Sequence, residues 1–294
     1  MSESVYQVIT DRITALLEKG VVPWQKSWNS AEQAPQNLIS RKPYRGVNAF
    51  LLGAMQYSSP FWLTYKQAQG LGGYVKKGEK SCPIVFWTWL EMEHQKTGEK
   101  KRIPMLRFYS VFNVAQCEGI TVPALPPVAR DHSRVEAAES IIAAMPKRPE
   151  IKQGLAKAFY SPSGDFVGMP ALAEFKTAED YYSVLFHELT HSTGHQSRLN
   201  RKGVSGSEGN WSAFGSTPYA KEELVAEMGA AFLCGEVGIS ERTIDNSAAY
   251  VASWLQRLKD DAKLVVQAAA QAQKAADWVL GKWHDEPQGD SEHN

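Results

Sequence analysis

His187-Glu188-Leu189-Thr190-His191 is the stretch that decides how this chain is read. On a helix, side chains four residues apart leave from one face, so His187 and His191 can offer both imidazoles to a single cation. Glu188 then stands beside the first of them, placed to take a proton from water as a general base. The flanking residues favour a helix. Thr177 is a natural N-cap, Glu179 and Asp180 put negative charge in the first turn, and Tyr181, Tyr182, Val184, Leu185 and Phe186 supply an apolar face. Gly194 allows a sharp exit.

Seven His residues among 294 produce this spacing by chance in on the order of one chain in a hundred, so a third ligand is needed. In metzincin peptidases a further His follows the second ligand by six residues. Ser197 occupies that position here, and His195 comes too early. Downstream, Glu222-Glu223-Leu224-Val225-Ala226-Glu227-Met228-Gly229-Ala230-Ala231-Phe232-Leu233 reads as a second helix whose acids interrupt an apolar, small-residue face. Carboxylates on such a face are costly to bury unless they are paired or bound to metal. Glu223 and Glu227, one turn apart, resemble the acid pair of gluzincins, in which the first binds metal and the second orients a ligand His. Glu223 is therefore the expected third ligand and Glu227 its supporting acid, with Glu222 a solvated first-turn charge. His195 stays as a rival ligand, and Tyr219 or His195 as assisting groups. Zn²⁺ is the expected metal, with another divalent ion such as Mn²⁺ as the alternative.

The length suffices for two ordinary domains. Formal net charge is zero, but residues 1–128 hold 15 Lys and Arg against 9 Asp and Glu, and residues 129–294 hold 17 against 23. The first part also carries 16 of the 31 aromatics and five of the nine Trp. A basic, aromatic part joined to an acidic one implies separate tasks. Cys82, Cys117 and Cys234 lie far apart with no close pair, which excludes a disulfide framework and a thiolate metal site. The N-terminus lacks the pattern of a secretion signal and no run approaches membrane-spanning length, so a cytoplasmic location without a membrane partner is expected.

Residues 4–19 read as an amphipathic helix. Residues 83–93 and 103–115 read as a long β-hairpin around Gln95-Lys96-Thr97-Gly98, and Thr121-Val122-Pro123-Ala124-Leu125-Pro126-Pro127 reads as a linker. Beyond it are expected a short helix over 133–145, two short strands around 158–160 and 165–169, a long Gly/Ser-rich loop over 192–218, and one long helix over 247–280. The short strands could hold a peptide as an added strand. In the basic part, Arg41-Lys42-Pro43-Tyr44-Arg45-Gly46-Val47-Asn48, Trp62-Leu63-Thr64-Tyr65-Lys66 and Gly73-Tyr74-Val75-Lys76-Lys77-Gly78-Glu79-Lys80 interleave cations with rings. Single-stranded nucleic acid requires that mixture, because cations neutralise phosphates while rings stack on unpaired bases. Phe86, Trp87 and Trp89 are expected in the core.

These strings, with Pro23-Trp24, Trp28, the His187–His195 stretch, Arg198-Leu199 and Glu222–Glu227, together resemble the ArdC family of plasmid antirestriction proteins, to which the TraC primases of conjugative plasmids are also similar. The resemblance covers nearly the whole chain. It implies an α+β fold of two domains: a single-stranded-DNA-binding domain over 1–122, a Pro-rich linker over 123–132, a mainly helical zincin-like metallopeptidase domain with a small sheet over 133–284, and a polar tail over 285–294. It further implies protection of incoming plasmid DNA from host restriction during conjugation, in the cytoplasm and with passage to the recipient cell as an option. Trp24, Trp28, Tyr44, Arg45, Asn48, Trp62, Lys66, Lys76, Lys77 and Lys80 become candidate DNA contacts. A host restriction enzyme or another DNA-bound protein becomes the candidate substrate. Two rival readings are a shielding protein whose metal site is structural or unused, and a protease directed by DNA to proteins bound on it.

Overall fold

The computed structural model describes residues 4–25, 34–93, 100–124, 133–201, 204, 217–239 and 248–282. The first helix, α1 (Val5–Leu17), is capped by Ser4, whose hydroxyl accepts from the Gln7 amide at 3.2 Å, and it buries Ile9, Thr10, Ile13 and Leu17. After β1 (Gln36–Asn37) comes α2 (Val47–Gly53), then β2 (Phe61–Thr64), α3 (Tyr65–Gly70) and β3 (Tyr74–Val75). The long strands β4 (Cys82–Glu93) and β5 (Lys100–Asn113) pair antiparallel along the full length of β4, as the hairpin reading expected. The four-stranded sheet has the order β1-β2-β5-β4, and β6 (Cys117–Glu118) pairs with β3.

The second part begins with α4 (Ser133–Ala144) and a small sheet of β7 (Glu150–Lys152), β8 (Phe159–Ser161) and β9 (Phe166–Gly168), ordered β7-β9-β8. The β8-β9 pair matches expectation, and β7 is a strand the sequence reading missed. The two helices anticipated around the acids and histidines are α5 (Ala178–Ser192) and α6 (Thr217–Val237). The single helix expected over 247–280 is a correction: the structure has α7 (Ala248–Asp260) and α8 (Leu264–Val279). Asp261 explains the break, because its carboxylate accepts from the Lys263 amide at 2.9 Å and offers the backbone a turn in place of helix. Thr10 of α1 holds that turn by donating to the Ala262 carbonyl at 2.7 Å. The remainder of the expected linker and most of the 192–218 loop, including Trp211 and Phe214, lie outside the described residues, as does the polar tail.

One continuous apolar cluster joins the two parts. It holds Ile9, Ile13, Trp24 and Phe50 together with Phe232, Trp254, Val265, Val266 and Ala269, and Phe50 stacks on Phe232 with ring centroids 4.4 Å apart. A smaller cluster of Leu38, Phe61, Leu63, Ala68 and Val114 fills the space beside α3. Within the second part, α5 and α6 approach closely at Gly229, where a Cβ would sit 2.4 Å from Cγ2 of Thr190. That contact brings the histidine helix and the acid helix within reach of one another.

Candidate metal centre

Thr177 caps α5 as expected, accepting from the Asp180 amide at 3.1 Å. Ten residues later the helix presents His187 and His191, whose Nε2 atoms face each other at 3.1 Å. From α6, Glu223 completes the group: Oε2 lies 3.7 Å from His187 Nε2, and Oε1 lies 3.6 Å from His191 Nε2. Donors sharing one tetrahedral ion at roughly 2.0–2.2 Å are separated by about 3.3–3.6 Å. The three side chains therefore converge with the spacing of a metal cradle, and their donor atoms all fall within 4.8 Å of one another. Glu188 follows His187 directly and is buried at 9% exposure, one of two buried acids among the described residues.

Electrostatics hold the imidazoles in place. Burial works against protonation of His187, but the bond to Glu223 and the charges of Glu188, Glu223 and Glu227 outweigh it and raise its pKa. His191 turns its other ring nitrogen, Nδ1, toward Glu222 Oε1 at 3.4 Å. Glu222 is 4% exposed, so its reading as a solvated charge is corrected. Burial pushes its pKa up, yet the charge of Arg201, then the bonds to His191 and Arg201, bring it below the ordinary range. Arg201 donates to Glu222 from Nη2 at 2.5 Å and from Nε at 3.1 Å, and also to Thr193 Oγ1 at 2.6 Å and the Thr190 carbonyl at 2.8 Å. Arg201 thus staples the exit of α5 to the start of α6. Sequence reasoning passed over it because a lone Arg in a polar loop carries no local pattern.

Glu227 accepts from the indole N–H of Trp24 at 3.1 Å. His195 stands apart from the three donors, with Nδ1 2.8 Å from Ser197 Oγ and 3.8 Å from Asp165 Oδ2. Asp165 is itself held by both terminal nitrogens of Arg198, at 2.8 and 3.0 Å, and by the Tyr160 hydroxyl at 2.8 Å. This network ties the β8-β9 turn to the residues after α5 and leaves His195 outside the cluster of His187, His191 and Glu223. Tyr219 lies on α6, and its side chain falls outside what is described.

A family profile described as zincin-like metallopeptidase matches residues 136–271, and one described as the N-terminal domain of anti-restriction factor ArdC matches residues 3–112. The solved metal-free structure of antirestriction ArdC from plasmid R388 is 40% identical, covering 95% of this chain and 98% of that one with a TM-score of 0.74. The chain belongs to the ArdC family. The Mn(II)-bound structure of R388 ArdC superposes with a TM-score of 0.73 at 37% identity over the same shares. An uncharacterised protein of Sinorhizobium fredii, y4eC, is 36% identical over 96% of this chain and 93% of its own length. The Escherichia coli DNA primase TraC is 37% identical over 94% of this chain, which spans 27% of that longer protein. An α+β architecture, sheet-containing in the first part and mostly helical in the second, is thereby established for this ArdC-family chain.

The candidate nucleic-acid residues divide sharply. Trp24 is fully buried, Trp62 is 2% exposed and Tyr44 is buried in the core, so none of these rings is open to a base. Asn48 is also buried, its amide bonded to both backbone groups of Val85 at 2.7 and 2.8 Å, where it covers the sheet edge. These four are corrections, and the cause is shared: interleaved rings and cations fit a core and its rim as well as a binding face. Arg45 pairs with Asp277 of α8, next to the Gly46 amide, which donates to Gln273 at 3.1 Å. Lys76 donates to the Ala115 carbonyl at 3.0 Å. Lys66, Lys77 and Lys80 are exposed, and Trp28 lies outside the described residues. Trp87, expected in the core, is instead 51% exposed, with Phe108, Tyr109, Tyr65 and Tyr74 also open to solvent. In the hairpin register Val85 faces Phe108 and Trp87 faces Leu106, so Trp87 and Phe108 are diagonal neighbours on one face. No helix among the described residues is long and apolar enough to cross a membrane.

Proposed function

We propose that this ArdC-family protein protects incoming plasmid DNA from host restriction during conjugation, binding single strands without strong sequence preference and carrying a metal-dependent peptidase site. The convergence of His187, His191 and Glu223 beside buried Glu188 is the observation that carries the reading. Those three residues would hold Zn²⁺, or Mn²⁺ as in the R388 relative. A divalent ion there supplies Lewis acidity toward a peptide carbonyl and eases deprotonation of water. Glu188 accepts the proton from the attacking water and returns it to the leaving amine. Glu222 fixes the ring of His191 through Nδ1, which leaves Nε2 as the donor.

On the first part, Trp87 and Phe108 offer stacking faces on the hairpin, with Arg107 and Lys66, Lys77 and Lys80 as exposed cations. Each stacked base contributes about 1–3 kcal/mol, so Trp87→Ala with Phe108→Ala weakens single-strand binding at both rings. A gel-shift series checks this, and undiminished affinity would remove the hairpin from the interface. For the chemistry, Glu188→Gln keeps fold and metal but abolishes cleavage of a protein substrate. Normal cleavage by that variant would refute the role of Glu188. The same variant in a conjugation assay separates protection by proteolysis, which it loses, from passive shielding, which it retains.

A further inference from the structure

We propose that Trp24 is a positioning residue of the metal centre, reaching from the first part of the chain to fix the carboxylate of Glu227, one turn beyond Glu223 on the same helix. The proposal rests on the reading that His187, His191 and Glu223 hold a divalent ion. Trp24 lies in the short turn Pro23–Gln25, its ring fully buried and packed edge-on against Trp254 of α7 at 6.1 Å. Indole carries one donor and no acceptor, and here that donor goes to Glu227 Oε2 at 3.1 Å. Glu227 is one turn beyond Glu223 on α6. A buried ring with a single rotameric seat fixes a flexible carboxylate more firmly than solvent can. The site is therefore assembled across both parts of the molecule, with a contribution some 200 residues away in sequence from the acid it holds, as the separation of 203 positions shows. Removing a group that supports a metal ligand typically lowers affinity about 10- to 100-fold.

Calorimetric titration of the full chain with Mn²⁺ and with Zn²⁺ tests this, using wild type, Trp24→Phe, Glu227→Leu and the double variant, each with thermal unfolding of its metal-free form. Trp24→Phe should bind at least about 10-fold more weakly, and adding it to Glu227→Leu should cause no further loss. Should Trp24→Phe fail to fold, 3-benzothienylalanine at position 24 keeps the bicyclic shape and deletes only the N–H, with the same loss expected. Wild-type affinity in either position-24 variant overturns the proposal. So does a double variant whose loss is the product of the single losses, since Trp24 would then act by packing alone. A wild-type chain that binds neither ion overturns the underlying reading of the three donors, which is a separate failure from the first two.

Discussion

At the scale of single residues, the centre depends on charges that would be unaffordable alone. Glu222 and Arg201 are both buried, and each is tolerable only because the other is present. Arg201→Met removes both hydrogen bonds that Glu222 receives from the guanidinium, and it should cost about 3–5 kcal/mol of stability, measured by thermal unfolding of the metal-free protein. A loss below 1 kcal/mol would mean the pair behaves as a surface bridge. The Asp165 cluster adds a pH dependence. Burial raises the pKa of Asp165, but Arg198, Tyr160 and His195 together bring it below the ordinary carboxylate value. A folded pKa below the unfolded one means that the pairing stabilises fully above the unfolded value and is lost as pH falls through the folded one. Wild type should therefore lose its advantage over Asp165→Asn as pH drops below about 4, followed by melting temperature against pH, and parallel curves would contradict the assignment. The convergence of His187 and His191 was legible in the sequence because helical spacing fixes which side chains share a face. The groups that hold the neighbouring acids were not: Arg201, bonded to Glu222, and Trp24, bonded to Glu227, arrive from a loop and a distant turn, and no periodicity announces them.

At the scale of elements, α5 and α6 must pass close enough for two histidines and an acid to meet. Gly229 makes that passage possible, since Thr190 fills the space a Cβ would need and is held by donating to the Phe186 carbonyl at 2.7 Å. Gly229→Ala should destabilise by about 1–3 kcal/mol through overpacking and weaken metal binding by moving Glu223 away. Denaturant unfolding with metal titration checks both, and a variant as stable and as tight as wild type would contradict the close contact. Of the two helices, the first could be read from its cap, its first-turn acids and its apolar spacing, and the second from acids set into an apolar, small-residue run. The division of the last helical stretch could not, because Ala-rich periodicity runs through Asp261 without a Pro or Gly to mark the turn. Likewise, the alternation in the hairpin identified two strands yet left open which face of each was buried, so Trp87 was assigned to the core and stands at the surface.

At the scale of the whole molecule, composition divides the chain into a basic, aromatic part and an acidic one, while the apolar core runs across the division. Trp24 and Phe50 contact α6, Arg45 contacts α8, and Thr10 contacts the turn between α7 and α8. Such a shared core predicts one cooperative unfolding transition for the full chain. Scanning calorimetry should show a single endotherm, and two resolved transitions would indicate parts that stand alone. The same contacts hold the first part and the His187, His191 and Glu223 cluster in one framework. The most direct test of the central claim is an anomalous-scattering map from crystals soaked in Mn²⁺. The account predicts one peak bounded by the Nε2 atoms of His187 and His191 and the carboxylate of Glu223, with Glu188 outside the ligand set. A peak that excludes Glu223, or a cradle that stays empty while the ion binds elsewhere, would contradict it.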